Sequence, residues 1–203
     1  MGLLDYFRRP APISDAAALG DFIDQRSAFL AQKGIYEYAR ARAGHYAKVL
    51  FGESGFQAAV EEARWRAFPL ALAMVTELVE GVLSPKTADR RKLLDALQAL
   101  SLSVFDRYPV PPSIGDSAWQ EQRTELVRRV EMIGMHPPKR AIDIAYPWAQ
   151  AYFDLMPIHE KLRGSDFPTI RSYLRITLCN IHDELIKRMD APSLMHALLD
   201  ENA

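Results

Sequence analysis

The chain has 203 residues, 49% of them hydrophobic and 25% charged, with a formal net charge of −1. That composition is globular, and the length suffices to bury a core without disulfide or metal staples. The balance of 25 basic against 26 acidic residues argues against a nucleic-acid binder, and the one cysteine, Cys179, excludes an intramolecular disulfide or a multi-cysteine metal site.

The lone cysteine fits a reducing compartment, so the expected localisation is cytoplasmic. No apolar run approaches the ~20 residues of a membrane span; the longest candidate is Phe68 to Met74. No secretion signal is read at the N-terminus, and Tyr6 breaks the myristoylation pattern that Gly2 begins. Residues 1–12 place Leu3, Leu4, Tyr6 and Phe7 beside Arg8 and Arg9, and a turn docked on the protein's own core is expected there rather than a membrane anchor.

Ser14 or Asp15 caps a first helix in which Leu19, Phe22, Ile23, Phe29 and Leu30 recur at helical spacing, with Arg26 as the exception. Gly34 is expected to end or bend it. A second helix follows from Ile35 to Phe51, its tyrosines and arginines interleaved on an amphipathic surface. After Gly52-Glu53-Ser54-Gly55, a helix over 56–83 is apolar all round at its centre, as a helix covered on several sides must be. Pro69 should kink or split it. Thr87 caps a further helix through Phe105.

Tyr108 to Pro112 and His136 to Pro138 read as rigid proline-rich connectors. Between them, Asp116 or Ser117 starts a helix that Gly134 closes. Ile142 to Tyr146 is the one short stretch with strand-like alternation. Pro147 suits a first helical position, and a helix from there carries Trp148, Tyr152, Leu155, His159 and Leu162 towards a stop at Gly164. Ser165 or Asp166 caps the next, with Ile170, Leu174, Leu178, Ile181 and Leu185 on one face; Leu194 to Leu199 form a short last helix.

The groups Ile158-His159-Glu160 and Ile181-His182-Asp183-Glu184 invite a shared metal site. Antiparallel helices joined near Ser165 oppose it. At ~1.5 Å per residue, His159 lies roughly 9 Å and His182 roughly 26 Å from that turn. This level argument sets His182 opposite Tyr146 to Trp148, and His159 opposite Ile170 and Arg171. No metal and no cofactor are therefore expected. Arg175, Cys179 and His182 share one edge, where a Cys–His nucleophile is outweighed by an inert core cysteine. Arg163, Arg171 and Arg175 read either as an anion site or as partners of Glu160, Asp166 and Asp183. The residues most worth testing for a ligand or partner are Trp148, His159, Arg171, Arg175 and His182.

The stretches HPPKRAIDIAYPWAQAYFDLMPIHEKLR, FPTIRSYLRITLCNIHDELIKR and FIDQRSAFLAQKGIYEYARARAGHYAKVLFGE are similar to a family of helical bacterial proteins, mostly alphaproteobacterial, without established activity. Some members carry the label esterase. A nucleophile elbow needs Gly-x-Ser-x-Gly after a strand, whereas Gly52-Glu53-Ser54-Gly55-Phe56 ends in Phe and follows no strand.

The expectation is an all-α, single-domain irregular bundle of about seven helices with a C-terminal helical hairpin. Its leading function is a non-catalytic cytoplasmic binding or adaptor protein, with a protein or small molecule as partner and a homodimer as one assembly. The alternatives are an esterase-like hydrolase and a small-molecule sensor or carrier with an aromatic, arginine and histidine pocket. Nucleic acid is not an expected partner.

Overall fold

A computed structural model describes residues 11–200, so the expectation for the N-terminal ten residues lies outside it. The helices are α1 (Ala16–Ala43), α2 (Ala47–Leu50), α3 (Ser54–Leu83), α4 (Arg90–Phe105), α5 (Asp116–Ile133), α6 (Ala141–Asp154), α7 (Glu160–Arg163), α8 (Phe167–Arg188) and α9 (Ala191–Asp200). Seven of these have ten residues or more, and no strand is present among the described residues. Where the chain enters α1 it is tied to the end of α8: the Ile13 amide donates to the Arg188 carbonyl at 2.9 Å, and the Asp190 amide donates to the Ile13 carbonyl at 3.0 Å.

The architecture is an all-α bundle built round α3, which packs against α1, α4, α5, α6 and α8. Every residue from Ala67 to Glu80 is buried, which is why the sequence is apolar on all sides there. By length and composition the segment Ser54–Lys86 could cross a membrane, and 83% of its apolar window is covered by the other helices. An aromatic cluster of Trp65, Phe68, Phe105, Tyr108 and Trp119 closes one side of the core, with Phe105 and Trp119 stacked at 4.3 Å. Tyr108 enters it from the first proline-rich connector and donates its hydroxyl to Asp24 at 2.6 Å.

Several helix ends follow their signals. Asp15 accepts from the Ala18 amide at 2.7 Å at the N-cap of α1, and Gly164 has the positive φ, 51°, expected after the short α7. Thr87 is displaced as a cap by Asp89, which accepts from the Lys92 amide at 2.9 Å, while Thr87 itself accepts from the Asp89 amide.

Three expectations are corrected. Gly34 does not end α1, which runs on to Ala43, so residues 35–43 belong to α1 and the separate helix expected from Ile35 to Phe51 does not form; Gly34 is where α1 meets α6 and α8. A Cβ at Gly34 would sit 2.7 Å from the Tyr173 ring and closer still to the Tyr152 hydroxyl. That hydroxyl is buried and donates to the Leu30 carbonyl at 2.8 Å. Glycine is there for close approach, not for chain termination.

Pro69 lies inside α3 without splitting it. Its missing hydrogen bond, costing ~3 kcal/mol, is offset because Ala67 to Leu72 are all buried on both sides of it.

The first arm of the C-terminal hairpin begins at Ala141 and ends at Asp154, so Pro147 is an interior residue and Ile142 to Tyr146 are helical. The strand-like alternation was a coincidence: Ile144, Trp148 and Tyr152, four apart, are the buried stripe. Pro157 lies in the break that follows. The Arg163 guanidinium folds back over that break and donates to the carbonyls of Phe153, Met156 and Ile158 at 3.3, 3.0 and 2.7 Å. It supplies the donors that the last turn of α6 lacks.

Candidate functional site

The residues singled out from sequence do not converge. Trp148 is buried and donates its indole N–H to Glu77 at 3.0 Å. His159 is an exposed N-cap of α7, its Nδ1 accepting from the Lys161 amide at 3.2 Å. Arg171 lies over the Phe167 and Tyr146 rings at 5.7 and 6.0 Å. Arg175 is exposed on α8, and His182 Nδ1 is 3.2 Å from Asp183. With Arg163 turned onto backbone carbonyls, the three arginines form no common anion site. Among the described residues no group of three His, Cys, Asp or Glu side chains is placed to hold a metal.

The level argument also changes. Phe153 meets Phe167, Tyr146 meets Arg171, and Ile142 shares a groove with Ile176 and Cys179. The hairpin is antiparallel as expected, but this register carries His182 beyond the first turn of α6, not opposite Trp148. The shift follows from the early end of α6, which leaves residues 155–166 as a break, a short helix and a turn.

Two carboxylates on α3, which the sequence reading passed over, are fully buried: Glu77 and Glu80. Beyond its bond from Trp148, Glu77 is met by Lys139 Nζ at 2.6 Å and His136 Nε2 at 3.4 Å. Glu80 accepts from Arg90 Nε at 2.7 Å, and the same guanidinium donates to the carbonyls of Ile133 and His136 at 3.1 and 2.8 Å. A Cβ at Gly81 would lie 2.6 Å from the Lys139 carbonyl. These contacts strap the second proline-rich connector onto the central helix. Burial closes both acids to substrate, so the cluster positions the α5–α6 junction rather than performing chemistry. Its sequence signal was two acids three apart in an otherwise apolar run.

Between α3, α5 and α6 lies a cavity of 210 Å³. Pro69, Leu70, Leu126, Ala151 and Leu155 line its apolar part, and Arg66, Gln122, Glu125 and Arg129 line its polar part. Arg129 is held on two sides. Its Nε is 2.8 Å from Glu125, and its guanidinium lies 4.9 Å from the centre of the Trp148 ring. Burial lowers the Arg129 pKa from its usual value, with Glu125 acting in the opposite direction. Glu125 in turn is held below the usual carboxylate range, first by its hydrogen bond from Arg128 and against the effect of burial.

Arg26, Ser27, Arg64, Glu77 and Glu80 each have one buried side-chain atom without a hydrogen-bond partner among the described residues, and Gln122 has two. Its amide nitrogen and oxygen are both closed off from solvent, and neither has a hydrogen-bond partner among the described residues. A buried amide normally finds partners at both ends, because each unpaired group costs ~1–3 kcal/mol. Gln122 is one of the residues that line this cavity. Between α1 and α3 lie a cleft of about 280 Å³ walled by Phe29, Tyr36 and Arg64, and beside it a smaller pocket of about 30 Å³ lined by Trp65, Phe68 and Tyr108.

The esterase motif gains no support from its surroundings: Ser54 is the first residue of α3 and follows a turn from α2. Comparison of the chain with protein-family models, curated proteins and solved structures gave no match. The reading of this site therefore stands on its geometry.

Proposed function

We propose that the protein is a non-catalytic small-molecule carrier or sensor, binding an amphipathic ligand in the cavity between α3, α5 and α6. The observation that carries this is the unpartnered Gln122 amide at the wall of a 210 Å³ cavity. Its apolar wall of Pro69, Leu70, Leu126, Ala151 and Leu155 takes an aliphatic or aryl body. At the polar end Arg129 is paired with Glu125 and Arg66 with Glu62, each through Nε at 2.8 Å. A carboxylate or carbamoyl head would accept from the guanidinium N–H groups these pairs leave over and pair with the Gln122 amide.

Among the readings drawn from sequence, this is the carrier or sensor. Trp148 belongs to it through Arg129, while His159, Arg175 and His182 do not. The test is native mass spectrometry of protein purified without denaturation, followed by calorimetric titration with short aliphatic and aryl carboxylates and their amides. Saturable binding by one class, weakened about tenfold or more in Gln122→Leu, supports the reading. A polypeptide mass alone, with no saturable heat from any member of the panel, overturns it.

A further inference from the structure

The outward face of α8 carries a pattern that the cavity does not use. Ser172, Cys179 and Ile186 are spaced seven apart, and Ile176 and Asp183 repeat the same interval beside them. At about 100° per residue these five, with Arg175, fall in one stripe. The stripe is apolar where solvent should favour polar groups: Ile176 is 62% and Ile186 49% exposed, and Tyr146 on the adjoining α6 is 73% exposed. Between the two helices runs a groove of 290 Å³ lined by Ile142, Ser172, Arg175, Ile176, Cys179 and Asn180.

We infer that this face binds a second copy of the chain, with the two α8 helices antiparallel about a two-fold axis passing at Cys179. The stripe is self-complementary about that residue and about no other on it. Ser172 and Ile186 lie seven residues either side, about 10.5 Å along the axis. The two-fold therefore sets the protruding Ile186 of each copy over the small Ser172 of the other. Arg175 and Asp183 lie four residues either side, about 6 Å, so each arginine meets the other copy's aspartate. Both are exposed: Arg175 makes no close ion pair among the described residues, although it is near enough to Asp143 to help hold that carboxyl below its usual range, and Asp183, 67% exposed at its side chain, lies 3.2 Å from its neighbour His182. A parallel arrangement would instead set Arg175 against Arg175. An isologous interface of this kind is the commonest way a soluble chain closes on itself.

The test combines light scattering with site-directed cross-linking of the full chain. The native protein runs as a dimer, and a short bis-maleimide joins Cys179 to Cys179. A Ser172→Cys/Cys179→Ser variant does not link to itself, because its two thiols are about 21 Å apart. It does link when mixed with Ile186→Cys/Cys179→Ser. Arg175→Asp weakens the dimer about tenfold and Asp183→Arg in the same chain restores it; every residue changed is on the outer stripe, and circular dichroism checks that each variant is folded. A monomer at the highest soluble concentration overturns the inference. So does self-linking of the Ser172→Cys variant, which would mark parallel helices, or a dimer indifferent to both charge changes.

Discussion

Replacing Gln122 by leucine should stabilise the protein and weaken its binding about tenfold or more. The side chain sits midway along α5, where glutamine and leucine have nearly equal helix propensity, so the backbone term cancels. What changes is the amide. Two buried polar groups without partners cost ~1–3 kcal/mol each, reduced when the side chain relaxes towards water in the cavity. Leucine removes that cost and places a branched apolar group beside Leu126 and Leu155. A net gain of about 1–2 kcal/mol is expected without ligand. Urea unfolding followed by circular dichroism measures it as a higher midpoint with unchanged slope. Under saturating ligand that advantage should shrink by about 1.4 kcal/mol or more, because the wild type gains more stability from binding than a variant weakened tenfold. A loss of more than about 1 kcal/mol in the ligand-free variant would refute the reasoning, since it would mean that the amide is satisfied within the fold.

Three further outcomes test the fold that frames the cavity. Gly34→Ala gains ~1 kcal/mol of helix propensity but drives a Cβ into Tyr152 and Tyr173, so a net loss of about 1–4 kcal/mol is expected, smaller in a Tyr152→Phe background. Glu77→Ala leaves the Trp148 indole, Lys139 and His136 without their acceptor; about 2–3 kcal/mol is lost, below the full cost of a broken buried pair because water reaches the Lys139 and His136 side chains. Alkaline titration should unfold the protein cooperatively. Burial first, and then hydrogen bonds to carboxylates, raise Tyr38 and Tyr108 from 10.0 to about 12, and burial raises Tyr173 to about 12. With the folded pKa above the unfolded one, their contribution is complete below pH 10.0 and is lost as pH rises towards about 12. Unfolding midpoints that stay level across that window would contradict it.

Local signals were readable where the determinant is local. Asp15, Gly134 and Gly164 mark helix ends because a cap or a stop depends on a few neighbouring residues. The prolines of the two connectors were readable for the same reason. Gly34 and Pro69 lie in unbroken helices and Pro147 lies inside α6, because packing overrides local propensity at all three. Gly34 answers to Tyr152, more than a hundred residues away in the chain. Misplacing the start and end of α6 then shifted the register of the whole hairpin, and His182 with it.

The cavity was the least legible feature. Its walls come from residues near 66–70, 122–129 and 151–155, and nothing in a single sequence says that α3, α5 and α6 meet there. Trp148 was recognised, but its partners Glu77 and Arg129 were not, because charged residues within or beside apolar runs read as solvated positions until their neighbours are known.

The most direct measurement is the side-chain amide signal of Gln122 in a ¹H–¹⁵N correlation spectrum, followed through titration with the carboxylate and amide panel. The account predicts a resonance that shifts saturably downfield as the amide acquires a partner, with Arg129 Nε–Hε moving in step and the Arg64 side chain in the α1–α3 cleft unmoved. A Gln122 amide that stays fixed while other residues report binding would contradict it, as would one already shifted and protected from exchange in the ligand-free protein.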